Sequence, residues 1–166
     1  MGLTLFKAKA ETILEKRVFS EPFNRGRRCL VSVDGFSEFT DEHGKKQPHY
    51  FKPKDDRVMA FAGLWESWRG PIGAPLPEPS LSYTFATTEP NAAVAPIHNR
   101  MPVLLIKQAQ WDTWLSRSAM PEELIELLRP APDDLLETYP VARDLPKLKD
   151  LSSSFLERLP SLQQSA

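Results

Sequence analysis

The chain has 166 residues, 41% of them hydrophobic and 26% charged, which suits one soluble domain with a single core. Lys and Arg total 21 against 22 Asp and Glu, so a net charge of −1 excludes no partner; the distribution is more informative. Lys7, Lys9, Lys16, Arg17, Arg25, Arg27 and Arg28 crowd the first part, whereas Glu122, Glu123, Glu126, Asp133, Asp134 and Glu137 make the later part acidic. A single cysteine, Cys29, excludes an internal disulfide and points to a reducing compartment. No secretory leader and no apolar run near the length of a membrane span is visible, so the expectation is a cytoplasmic protein with no membrane partner.

In chain order, "KAETILEKRVF" (9–19) spaces Ala10, Ile13 and Leu14 near a helical turn and predicts a first helix. Strands are expected at "CLVSVDGF" (29–36), "HYFKP" (49–53), "VMAFAGLW" (58–65), "LSYTFATT" (81–88), "MPVLLI" (101–106) and "TYPVA" (138–142). The stretches "DEHGKKQP" and "RGPIGAPLPEP" separate strands as turns. "KQAQWDTWLSR" (107–117) predicts a helix with Trp111, Trp114 and Leu115 on one face, the tryptophans as core contacts. "PEELIELLR" (121–129) predicts another, with Pro121 in its first turn and two glutamates where the helix dipole favours them. Strands fill the middle and helices the edges, so the fold class is α+β, with a mostly antiparallel, barrel-like sheet and flanking helices. One domain is expected over 1–150, then a tail over 151–166 with a short helix and disorder.

Little conventional catalytic machinery is present. His43, His49 and His98 lack ligand-spaced partners, so no metal site is expected. The seven glycines are scattered, and neither a phosphate-cradling loop nor a nucleophile elbow occurs. What remains is Glu38, in "VDGFSEF", and His98, in "PIHNRMP". A carboxylate and an imidazole brought into one cleft can shuttle protons. A nucleic-acid reading draws on Lys9, Arg25, Arg27, Arg28, Arg69 and Arg100 for phosphates, with Trp65 or Trp68 as a base-stacking surface.

"RRCLVSVDGFSEF", "FAGLWESW", "TFATTEPNAAVAPIHNRMPVLL" and "YPVAR" together resemble the SOS response-associated peptidase family, in register from about Lys7 to about Asp144. The resemblance implies a DNA-damage protein that binds single-stranded DNA and crosslinks to abasic sites. It also implies a thiol autopeptidase and no cofactor. Its nucleophile is an amino-terminal cysteine, assisted by a glutamate and a histidine that correspond to Glu38 and His98. "KAKAET" stands where the family has an asparagine- and arginine-bearing segment, with Lys7 in place of the asparagine and Lys9 of the arginine; the resemblance thus gives Lys7 and Lys9, with Arg100 of the "HNRMP" block, as the residues expected at the abasic sugar and its phosphates. Arg25, Arg27, Arg28, Trp68 and Arg69 are the further DNA-binding expectations. Position 2 is Gly2, and the match leaves roughly the first third of the family domain, with its cysteine, unrepresented. Cys29 lies in a strand pattern and has no free α-amine. The alternative reading is therefore a single-stranded-DNA-binding remnant without the nucleophile.

Overall fold

The computed structural model describes residues 7–143 and 156–159. Nine strands run in chain order as β1 (Ala8–Lys9), β2 (Arg28–Val33), β3 (Phe36–Glu42), β4 (Lys45–Pro53), β5 (Met59–Trp68), β6 (Ser80–Thr88), β7 (Met101–Pro102), β8 (Leu104–Leu105) and β9 (Leu136–Pro140). Three helices, α1 (Arg17–Asn24), α2 (Gln108–Leu115) and α3 (Pro121–Glu126), complete the α+β fold. The larger sheet is ordered β1-β6-β5-β2, with β7 on β6 and β8 on β5, and the smaller is β3-β4-β9. Every pairing is antiparallel except β1 on β6. Among the described residues the strands form these two sheets and not a closed barrel.

Side-chain alternation along β5 and β6 divides the interior into two cores. Ala62, Leu64 and Ala86 face Phe19 and Phe23 of α1, Trp114 of α2 and Leu124 of α3. Met59 and Phe61 face the other way, against Phe51 and Leu136 of the smaller sheet and against Val94 and Met101. The order of layers is thus helices, larger sheet, smaller sheet. Three of the candidate residues, Lys7, Glu38 and His98, gather at the mouth of the second core.

Several sequence expectations shift. Residues 29–36 are not one strand. Asp34 and Gly35 end β2 at Val33, and the chain re-enters the other sheet at Phe36. A methyl group at Gly35 would lie 2.4 Å from the Phe51 carbonyl oxygen and the Tyr50 ring, so only glycine lets the chain change sheets here. The helix expected over 9–19 is instead a strand residue at Lys9, a 3-10 turn at Ala10–Thr12, and α1 from Arg17. Ile13 is buried and Leu14 exposed. The helical face is carried by Phe19, Pro22 and Phe23, largely beyond the expected segment. "MPVLLI" divides into β7 and β8, which pair with different neighbours, because Val103 bonds to both β6 and β5 between them. The turn at "DEHGKKQP" narrows to His43 and Gly44, both at positive φ, while Lys45–Pro48 already belong to β4. Trp111 and Trp114 are core-facing as expected, but Leu115 is exposed. The helix expected over 121–129 ends at Glu126, and "TYPVA" is displaced towards its N-terminus as β9. Of the tail expected over 151–166 only 156–159 are described; there Arg158 lies over the Tyr139 ring and the Leu159 amide donates to Pro140.

Candidate functional site

Glu38 is the third residue of β3, two positions after Phe36, whose ring stacks on Phe51 inside the second core. Period-two alternation therefore aims Glu38 at the mouth of that core, on the same face of its sheet. Its ladder partner is His49 of β4, whose Nε2 lies 3.2 Å from the Thr40 hydroxyl and whose protonation is disfavoured by burial. On the larger sheet, Ala8 is buried, so alternation turns Lys7 and Lys9 to the opposite side. The Lys7 ammonium then stands 6.0 Å over the Phe85 ring.

His98 arrives on the loop between β6 and β7, and buried Asn91 pins that loop. The Asn91 side-chain amide donates to the carbonyls of Ala131 and Pro132 at 3.2 and 3.1 Å, while its side-chain oxygen accepts from the Val94 amide. A turn bonded from the His98 amide to the Val94 carbonyl then presents the imidazole. His98 Nδ1 lies 3.1 Å from the Arg100 amide nitrogen and 2.9 Å from the Arg100 carbonyl oxygen. One can donate to the ring and the other accept from it, so both neutral tautomers are accommodated, as a proton carrier requires.

These three elements converge. Glu38 Oε2 is 3.7 Å from His98 Nε2, and Glu38 Oε1 is 3.7 Å from Lys7 Nζ. The carboxylate side chain is only 14% exposed and so is shielded between an amine and an imidazole that still reach solvent. An amine, a carboxylate and an imidazole in a row supply a nucleophile or Schiff-base former and two proton-handling groups. Among the described residues no group of three His, Cys, Asp or Glu side chains is placed to hold a metal ion. No helix among them is long and apolar enough to cross a membrane.

Arg100, expected to meet the abasic sugar or its phosphates, is already engaged. Its guanidinium forms two 2.9 Å bonds to the Glu11 carboxylate and one of 2.6 Å to the Thr87 carbonyl. Sequence reasoning did not select Glu11 or Asn91, because their partners lie 89 and 40 residues away along the chain. Lys9 stays on the exposed edge of the site.

The other DNA-binding expectations scatter. Arg28 is a correction: it is buried, and its guanidinium donates to the carbonyls of Trp114, Phe23 and Ser116 at 2.6, 2.6 and 2.5 Å. It joins α1, α2 and β2 and has no surface to offer a phosphate. Arg25 is exposed and paired with Glu21 at 2.8 Å. Arg27 is paired with Glu66 and lies over the Trp65 ring. Trp68 and Arg69 are exposed at the end of β5, but alternation places Trp68 on the face away from Lys7 and Glu38. Cys29 is half-buried in β2, and burial pushes its thiol above the ordinary range.

The chain matches the family described as SOS response associated peptidase (SRAP) over residues 1–148. It is similar to the abasic site processing protein YoqW of Bacillus subtilis, at 35% identity over 159 residues, covering 95% of this chain and 68% of that protein. The abasic site processing protein HMCES of Gallus gallus is 30% identical over 142 residues, covering 74% of this chain and 41% of its own. A crystal structure of a protein from Bacteroides thetaiotaomicron superimposes with a TM-score of 0.83 at 28% identity, covering 93% of this chain and 66% of that one. The chain therefore spans about two-thirds of the length of the Bacillus relative and of that solved structure. On the family match, and on the length of chain it covers, the protein belongs to the SOS response associated peptidase family.

Proposed function

We propose that the chain acts on abasic sites in single-stranded DNA as a DNA-damage-response protein, and that Lys7, Glu38 and His98 are its reacting groups. The observation that carries this reading is one largely shielded carboxylate, Glu38, shared by the Lys7 amine and the His98 imidazole, each at 3.7 Å. The names of the relatives point to the substrate.

A ring-opened abasic sugar presents an aldehyde at C1′. The neutral Lys7 amine adds to that carbon, and a proton relayed through Glu38 and His98 converts the resulting hydroxyl to water, which leaves. The product is an imine between Nζ and C1′, a covalent protein–DNA linkage. From it, loss of the C2′ proton to Glu38 or His98 breaks the C3′–O bond and releases the 3′ phosphate. Water then hydrolyses the imine and restores Lys7. The same geometry can support crosslinking without strand cleavage where an N-terminal cysteine supplies both amine and thiol, as the family resemblance implies. Lys9 fits the flanking phosphate as an unforked positive charge.

Borohydride trapping on single-stranded DNA carrying one abasic site tests the reading. A reduced adduct that disappears in Lys7→Ala and survives in Lys9→Ala is expected. Salt-sensitive DNA binding without any adduct would instead leave a catalytically inactive single-stranded-DNA-binding protein.

A further inference from the structure

Arg100 makes two sets of contacts, one through its side chain and one through its main chain. The guanidinium holds both oxygens of the Glu11 carboxylate at 2.9 Å, and its Nη2 also donates to the Thr87 carbonyl at 2.6 Å. The main chain of the same residue brackets the His98 ring, with its amide nitrogen 3.1 Å and its carbonyl oxygen 2.9 Å from Nδ1. Glu11 sits on the 3-10 turn that follows β1, four residues after Lys7. One arginine thus joins the segment that delivers the amine to the loop that delivers the imidazole.

The junction lies where both segments are lightly held by their ladders. β1 has two ladder positions, Ala8 with Ala86 and Lys9 with Thr87, and Lys7 precedes both. β7 is as short, pairing Pro102 with Thr87 and Met101 with Thr88. Thr87 is therefore flanked by both short strands, and its carbonyl is where the guanidinium is tied to β6. Ladders of two residues constrain direction weakly. Lys7 must nevertheless keep its ammonium 3.7 Å from a carboxylate on the other sheet. A bidentate carboxylate–guanidinium pair fixes direction as well as distance. The Glu11 side chain is 42% exposed and that of Arg100 20%, so the pair adds modestly to stability and acts chiefly on geometry.

We propose that Glu11 is a positioning residue, acting through Arg100 to hold the Lys7 amine and the His98 imidazole each against its own oxygen of Glu38. This rests on the reading of Lys7, Glu38 and His98 given above, and it adds to that site a residue that works at one remove from the chemistry. With Glu11 neutralised, Arg100 loses its ionic anchor on the Lys7 segment. The amine and the imidazole then drift relative to the carboxylate between them. A misplacement of ~1 Å among reacting groups is enough to slow a reaction by about 10²-fold.

The test uses Glu11→Gln in the full chain, a change that keeps the shape of the side chain and removes its charge. Binding is measured on single-stranded DNA carrying a tetrahydrofuran abasic analogue, which has no aldehyde and cannot react. Borohydride trapping on a true abasic site gives the rate of imine formation, and NMR gives the ring-nitrogen signals of the histidines. Glu11→Gln is expected to bind the analogue as the unaltered chain does and to form adduct at least about tenfold more slowly. The His98 ring signals move, while those of His43, exposed in the turn between β3 and β4, stay. Adding Arg100→Gln to Glu11→Gln slows the adduct little further, because the two side chains act as one clasp. Glu11→Asp keeps the charge and recovers part of the rate, which separates positioning from a folding defect.

An unchanged rate of adduct formation in folded Glu11→Gln overturns the inference. Tighter binding of the analogue at that unchanged rate would make Glu11 a lid on Arg100 instead. A loss of affinity that accounts for the whole fall in rate also overturns it, since a positioning residue acts after binding. Absence of adduct from the unaltered chain is the separate failure of the Lys7 reading. The His98 ring signals then decide alone: if they stay in place in Glu11→Gln the clasp is overturned, and if they move Glu11 holds the imidazole.

Discussion

Glu38 and His98 meet at 3.7 Å although one is fixed by a strand ladder and the other by a loop pinned through Asn91. On the proposed reading they act as one proton-handling unit, and should fail as one. Glu38→Gln and His98→Gln are each expected to slow cleavage of abasic single strands by about 10²-fold, the lower end of what positioned acid–base groups contribute. The double variant should be little slower than either single one, because removing half of a unit removes its function. Single-turnover gel assays measure this, and multiplicative losses would show that the two residues work independently.

Arg28 is expected to matter for folding and not for DNA. Its three donated bonds end on main-chain carbonyls of α1, α2 and the segment after α2. Arg28→Ala leaves those acceptors without their donor in a dry region, at a cost of about 3 kcal/mol. Urea denaturation should show that loss. Arg25→Ala, at an exposed and locally paired site, should change stability by no more than about 0.5 kcal/mol. A normal urea midpoint in Arg28→Ala would contradict the structural role.

The contrast between those two arginines also marks what the sequence discloses. Composition and alternation were enough for the central strands β5 and β6, whose apolar runs are long and bounded by turn residues. The motif around Glu38 and the block holding His98 were legible as a resemblance. Burial of Arg28 was not, because a cluster of three arginines in "RGRR" reads as surface charge until the packing of α2 is known. Nor could local spacing show that Asp34-Gly35 moves the chain between sheets, or that Glu11 reaches Arg100. Both depend on contacts between residues far apart in the chain.

Glu11 should give the protein an acid-sensitive component of stability. The hydrogen bonds from Arg100 hold its carboxyl below the ordinary carboxylate range. A carboxyl depressed on folding contributes stability above its ordinary pKa, and that contribution is lost as pH falls through the ordinary value to the lower folded one. Glu11→Gln cannot titrate. The stability gap between the unaltered chain and this variant should therefore be largest near neutral pH and shrink as the solution becomes acidic. Urea midpoints measured across that range decide the matter, and a gap constant with pH would show that the ion pair adds nothing.

Cys29 and Gly63 provide the last test, because their strands meet with no room to spare. They are direct partners in the β2–β5 ladder, and a methyl group at position 63 would sit 2.6 Å from the Cys29 sulfur and 3.0 Å from its carbonyl oxygen. Gly63→Ala is expected to destabilise the chain by about 1–3 kcal/mol through overpacking. Cys29→Ala removes the nearest obstructing atom but not the carbonyl, so adding it to Gly63→Ala should recover part of the loss, a coupling of at least about 0.5 kcal/mol. Because burial raises the Cys29 thiol pKa, alkylation at neutral pH should also be slow in the folded chain and accelerate on unfolding. Strictly additive urea results for the two substitutions would mean that β2 and β5 separate locally to admit the methyl group.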